Sequence, residues 1–179
     1  MKTTIIYILA VSALLTSSCN KLDLTPPDQV STGSFYKNQT ELEMAVDDLY
    51  RIDFWSNDDE TYTDNHWYRG ELGNAVTFGT MNAHDANVQS YYQTCYNAIA
   101  RVNSFLENKD KAAANTSAAV ITQYEAEMRL IRAYQYARLI AHFGDIPFVT
   151  KTQTITEASN NVRKSKDSIL QFIFDELDF

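Results

Sequence analysis

The chain has 179 residues, enough for one domain or for part of a larger one. Fifteen Lys and Arg against 23 Asp and Glu leave a formal charge of −8, a balance that repels phosphates and excludes nucleic acid as an expected partner. The 45% apolar and 12% aromatic content is too rich for a disordered chain, and eleven tyrosines supply either core or recognition surface.

Met1-Lys2 is a short basic start, and Ile5 to Leu15 is an apolar run of the length of a signal-peptide h-region. That run is too short to span a bilayer as a helix, which takes about 20 apolar residues. Thr16, Ser17 and Ser18 then lead to Cys19. The arrangement resembles the lipobox of bacterial lipoproteins, with Thr16 where Leu usually stands. It predicts a signal peptide over 1–18, a lipid on Cys19 and a tether over 19–34. More than one acyl chain on Cys19 would give stable anchoring. Pro26-Pro27 keeps the tether extended.

Asn38-Gln39-Thr40-Glu41 has the spacing of a helix start, an N-cap acceptor followed by Glu three residues on. Leu42, Val46, Leu49, Tyr50 and Phe54 follow at helical spacing and predict a first helix over Thr40–Asp53. Residues 55–84 break the pattern. The tract is acidic at Asn57-Asp58-Asp59-Glu60, is punctuated by Gly70, Gly73 and Gly79, and holds both tryptophans. A loop of this length inside a compact domain is usually functional or disordered.

A second stripe, Val88, Tyr91, Tyr92, Cys95, Tyr96, Ile99, Val102 and Leu106, predicts a helix over Asp85–Glu107. Cys95 falls on its apolar face, where a buried, inert thiol is expected. With Cys19 lipidated, Cys95 has no disulfide partner. Ile121, Tyr124, Met128, Ile131, Tyr134 and Leu139 predict a third helix over Ala118–His142, with Ala112-Ala113-Ala114 a possible backward extension. Gly144 would end it and Pro147 would prevent its resumption. Ile146–Thr150 reads as extended and Asn160–Lys166 as a polar loop. Ser165 or Asp167 could cap a fourth helix carrying Ile169, Phe172, Ile173 and Leu177. Four amphipathic helices need one another, because a single apolar stripe cannot be buried alone. The expected fold is all-α, a helical array of tetratricopeptide-like pairs with a long irregular loop. No clean 34-residue repeat is present.

Four segments, in order, resemble the RagB/SusD family. The first is Cys19-Asn-Lys-Leu-Asp-Leu-Thr-Pro-Pro-Asp28 with Phe35-Tyr36, Glu41 and Leu49-Tyr50. The second is Tyr92-xxx-Tyr96-xx-Ile99-xxx-Asn103, where the family commonly begins with Trp. The third, and the most specific, is Glu127-Met-Arg-Leu-Ile-Arg132-Ala-Tyr134-Gln-Tyr136 running to Phe143-Gly144-Asp145-Ile146-Pro147. The fourth is Arg163-Lys-Ser165 continuing to Ile173-Phe-Asp-Glu176-Leu177. The resemblance implies the N-terminal portion of a SusD-like helical domain over 35–179. It further implies a lipoprotein of the outer membrane that captures glycan or oligosaccharide without chemistry and caps a SusC-like TonB-dependent transporter.

Within that reading the third-helix motif is structural, with Arg132 pairing to Glu127 or to a carboxylate elsewhere. The tyrosines at 92, 96, 124 and 134 are core more than platform. The candidate ligand contacts are Trp67 and Tyr68 with Asn65 and Arg69, because a sugar needs a flat aromatic face and a few fixed polar groups beside it. The competing role for Trp67 is to anchor the loop onto the helices. Neither a cofactor nor a metal is expected. His66, His84 and His142 lack ligand spacing, and the 57–60 acidic run lacks the glycine of a calcium loop. No carboxylate pair stands out for glycoside hydrolysis. The alternative to ligand capture is a docking or tethering scaffold whose ligand site lies in sequence beyond Phe179.

Overall fold

The computed structural model describes residues 35–51, 63 and 75–179. Its helices begin where the sequence places a short acceptor side chain. α1 (Gln39–Leu49) starts at Asn38, whose side chain accepts from the Glu41 backbone N–H at 3.0 Å. The Glu41 carboxylate reaches back to the Lys37 N–H at 2.7 Å and to the Asn38 amide at 2.9 Å. This is the expected reciprocal cap, shifted outward by one residue. α1 stops at Leu49, short of the expected Asp53, because the Tyr50 N–H bonds the Asp47 carbonyl three residues back and tightens the last turn.

α2 (Ala86–Asn108) is capped by Asp85 and passes into a 3₁₀ turn over Lys109–Ala114. The three alanines at 112–114 therefore belong to this turn and do not extend the next helix. α3 (Ala118–Phe143) is capped by Ser117 and ended by Gly144 at φ 65°, ψ −120°. β1 (Ile146–Pro147) pairs antiparallel with β2 (Arg163–Lys164), Ile146 opposite Lys164. Between them lies α4 (Ile155–Ser159), a single turn with a complete capping box of Thr154 and Glu157. α5 (Lys166–Leu177) is capped by Ser165, the first of the two expected residues. The Asp145 carboxylate also accepts from the Lys166 N–H at 2.9 Å, joining the turn after α3 to the start of α5.

Two buried clusters share α2 and α3. The first closes under α1, where Leu42, Val46 and Leu49 meet Val102, Phe105, Met128 and Ile131. Tyr36 joins it edge-on to Phe105 at 5.9 Å. Its φ of 68° is uncommon for a bulky side chain, and the burial of the ring is what holds it there. The second cluster closes under β1 and α5, where Ile146, Ile169 and Ile173 meet Cys95, Ile99, Tyr136 and Leu139. Each fully buried Leu, Ile or Phe contributes about 1.5–3 kcal/mol. α3 touches α1, α2 and α5, and so carries apolar residues around most of its circumference.

A ladder of charge lies between helices as well. Arg132, 5% exposed, donates to Glu176 at 2.6 Å and to the Asn103 side chain at 2.8 Å. Arg129 joins Glu176 at 3.0 Å and Glu125 at 2.9 Å, and Lys109 reaches Glu125 at 2.9 Å. The carboxylate that answers Arg132 is thus Glu176 on α5. Glu127 instead accepts from Tyr50 and Gln123.

Candidate functional site

Residues 147–153 cross α2 and α3 as an extended strap, and side chains from both helices hold it down. The Tyr136 hydroxyl donates to the Val149 carbonyl at 2.6 Å and accepts from the Val149 N–H at 2.8 Å. The Tyr96 hydroxyl donates to the Pro147 carbonyl at 2.5 Å. The Asn103 amide reaches the carbonyls of Val149 and Lys151, and the Arg132 guanidinium reaches Thr150. The strap therefore needs no strand partner for these carbonyls. Burial pushes the Tyr136 hydroxyl up to about 12 and raises Tyr96 further, so both remain donors across the neutral range. Cys95 is fully buried, and burial pushes its thiol up to about 11, which makes it a core residue and not a nucleophile.

Two cavities open on either side of Tyr92. The larger, about 820 Å³, lies between the turn at 75–84 and the facing ends of α2 and α3. Val76, Met81, Val88, Tyr91, Tyr92 and Phe143 give it apolar walls. Asn82, Asn87, Gln89 and Gln93 supply amides along it. The turn is built by the Ala75 carbonyl, which accepts from Thr80 and Met81, and by Gly79 at φ 65°. Tyr92 meets Phe143 edge-on at 5.2 Å. Tyr91 is held by Arg138, whose Nε donates to its hydroxyl at 3.0 Å and whose Cζ lies 4.4 Å from its ring centroid. His142 Nδ1 lies 2.9 Å from the Arg138 carbonyl and 3.2 Å from the Tyr91 hydroxyl. The smaller cavity, about 370 Å³, lies between α2, the strap and α4.

The tyrosine expectation resolves in two ways. Tyr92 and Tyr96 pack against the second cluster and Tyr124 against the first, yet Tyr92 also walls both cavities and Tyr96 the smaller one. The sequence reading places Tyr91 on the second helical stripe and assigns none of Tyr91, His142 and Phe143 to a site. The available signal was the Tyr91-Tyr92 doublet: adjacent helical positions point about 100° apart, and both rings stay only partly buried against the second cluster. Asn65, Trp67, Tyr68, Arg69 and the expected lipid site at Cys19 lie outside the described residues. Among the described residues, no group of three His, Cys, Asp or Glu side chains could hold a metal ion. Nor is any of their helices long and apolar enough to cross a membrane.

Comparison with known proteins accounts for the arrangement. Residues 7–175 match the SusD-like family described as starch-binding and associating with the outer membrane. A SusD-like protein of Bacteroides ovatus is 23% identical over 97% of this chain and 34% of its own length. A crystal structure of a SusD-like carbohydrate-binding protein of Bacteroides fragilis matches 80% of this chain and 31% of its own, with a TM-score of 0.68 and 27% identity. A second SusD-like protein of the same species shares the fold, with a TM-score of 0.64 and 19% identity over 81% of this chain and 29% of its own. The chain spans about a third of the length of these relatives. With the four sequence segments, the all-α fold and this match over nearly its whole length, the chain belongs to the SusD-like, or RagB/SusD, family.

Proposed function

We propose that the chain serves as a nutrient-binding lipoprotein of the outer membrane that captures glycan without chemistry and delivers it to a SusC-like TonB-dependent transporter. Residues 1–18 are the signal peptide in this reading, Cys19 carries the lipid, 19–34 form the tether, and the helical domain begins at 35. The observation that carries ligand capture is the larger cavity. Its volume falls within the range of small-molecule sites. Rings of Tyr91, Tyr92 and Phe143 offer flat faces to the C–H edges of a sugar, and the neighbouring amides offer donors and acceptors for hydroxyls. Trp67, Tyr68, Asn65 and Arg69, from the same long loop as the 75–84 turn, are proposed as further contacts.

A second reading concerns the part of the relatives that this chain does not match, since it spans about a third of their length. As a docking scaffold, these residues would hold the transporter while ligand contacts lie in the remaining two thirds of the relatives' length. A glycan-array screen followed by calorimetry on the detergent-solubilised full chain separates the two. Glycan capture predicts saturable binding without hydrolysis products, weakened about tenfold in Tyr91→Ala, the equivalent of losing one ring contact. Trp67→Ala should weaken it comparably if the proposed loop contacts are made. Absence of binding in a chain whose circular dichroism is fully helical would favour the scaffold. Co-purification with a large β-barrel is expected under both.

A further inference from the structure

We infer that the arm between β1 and β2 is a docking surface for an anionic bilayer, which sets two apolar tips and a group of cations against lipid phosphates. This deepens the anchoring part of the reading above and does not depend on glycan capture. Ile155 at 91% and Val162 at 78% are the most exposed large apolar side chains among the described residues. α4 buries none of its residues, so Ile155 serves no core. The tips are held in place before any contact is made. The side chains of Gln153 and Asn161 bond each other at 3.0 and 2.7 Å and close the base of the arm. The capping box of Thr154 and Glu157 fixes the turn that begins at Ile155, and the Asn160 amide donates to the Thr156 carbonyl at 2.9 Å. Docking a turn already built costs little ordering entropy.

The cations of the chain are sorted. Arg51, Arg101, Lys109, Arg129 and Arg132 each meet a carboxylate. Residues 151–166 instead set Lys151, Arg163, Lys164 and Lys166 against the one carboxylate of Glu157, a net of +3 in a chain of net −8. Glu157 is engaged by the Thr154 N–H at 2.7 Å and hydroxyl at 2.8 Å, and these bonds, with Lys151 nearby, hold its carboxyl below the usual range. Arg163, Lys164 and Lys166 make no ion pair among the described residues. The Lys164 ammonium lies 4.9 Å from the Phe148 ring centroid. Lys166 stands in the first turn of α5, where a cation opposes the helix dipole, so helix stability does not account for it. The flanking acids are Asp145, engaged by the Lys166 N–H, and Asp167 in that same first turn. Aliphatic tips with lysines on both sequence flanks suit a fluid layer of phosphates. A protein face would favour aromatics and disfavour lysine.

The test is deuterium exchange of the full chain on vesicles of phosphatidylcholine and on vesicles of an equimolar phosphatidylcholine–phosphatidylglycerol mixture. Amides of 152–162 should exchange more slowly on the mixed vesicles, and added salt should erase the difference. Each Lys or Arg near an anionic surface is worth about fivefold in occupancy, so Arg163→Gln/Lys166→Gln should lower the arm's docked-to-free ratio about 25-fold. Ile155→Ser/Val162→Ser should lower it about tenfold. All four are surface side chains, and unchanged circular dichroism and thermal midpoint would exclude misfolding as the cause. Equal exchange on the two kinds of vesicle, or slowing that survives either double variant, overturns the docking surface. If the chain still sediments with both kinds of vesicle in that case, the anchor stands without the arm. Slowing that appears only when a β-barrel partner is added would assign the arm to a protein and overturn the proposal as well.

Discussion

Glu176 is 4% exposed and sits 44 residues from Arg132 in sequence, yet it accepts from both Arg129 and Arg132. Its value lies in what its loss would leave behind. In Glu176→Gln the guanidinium of Arg132 stays buried without a counter-charge, and a broken buried pair costs about 3–5 kcal/mol. Urea denaturation should report that loss. The exposed pair of Arg101 and Asp48 gives the contrast, because solvent screens it. Asp48→Asn should shift the same midpoint by no more than about 1 kcal/mol. Sequence supplied the arginine and the acidic candidates but not the match. Glu127 is a turn away from Arg132 on the same helix, and only the docking of α5 brings Glu176 closer.

Among the elements, α3 was legible in its extent and opaque in its role. Its end follows from Gly144, read as a cap, while its start, left open by the alanines at 112–114, is set by the Ser117 side chain. Its contacts on three sides do not follow from one stripe, because a helix that meets three neighbours has no single apolar face. Gly144 shows what a cap costs to change. A Cβ there would meet nothing within 4 Å, so substitution is penalised through the backbone alone. At φ 65° and ψ −120°, Gly144→Ala should destabilise the fold by about 1–3 kcal/mol, measured as a lowered thermal midpoint with unchanged helical signal. α4 was hidden for a different reason. Five residues are too few to display a period, although Thr154 and Glu157 stand at capping-box spacing. The β1–β2 pair was equally hidden, since two residues cannot alternate.

For the molecule as a whole, the buried acids define an alkaline limit. Burial lifts the Cys95 thiol from 9.0 to about 11 and the Tyr136 hydroxyl from 10.0 to about 12. Both are neutral when protonated, and the folded state holds its protons to higher pH than the unfolded chain does. Stability is therefore complete below about pH 9 and falls as pH rises through 11 to 12, by on the order of 2 kcal/mol for each group. Denaturant midpoints taken across that interval should show the decline, and Cys95→Ala should flatten its lower part. The candidate site was less legible than the fold at this scale. Periodicity finds faces that meet other helices. A groove is made where faces fail to meet, at the ends of α2 and α3 and under a strap whose course depends on Tyr96 and Tyr136.

The ladder from Lys109 through Glu125, Arg129 and Glu176 to Arg132 alternates in sign and ends positive at both ends. It draws three cations and two carboxylates inward, a net charge of +1, so in a chain whose net charge is −8 the remaining groups carry −9. Dissolved ions screen that outward repulsion over a Debye length of about 10 Å at 0.1 M, and hardly reach the ladder. Added salt should therefore raise the thermal midpoint of this protein, even though ion pairs hold its helices together.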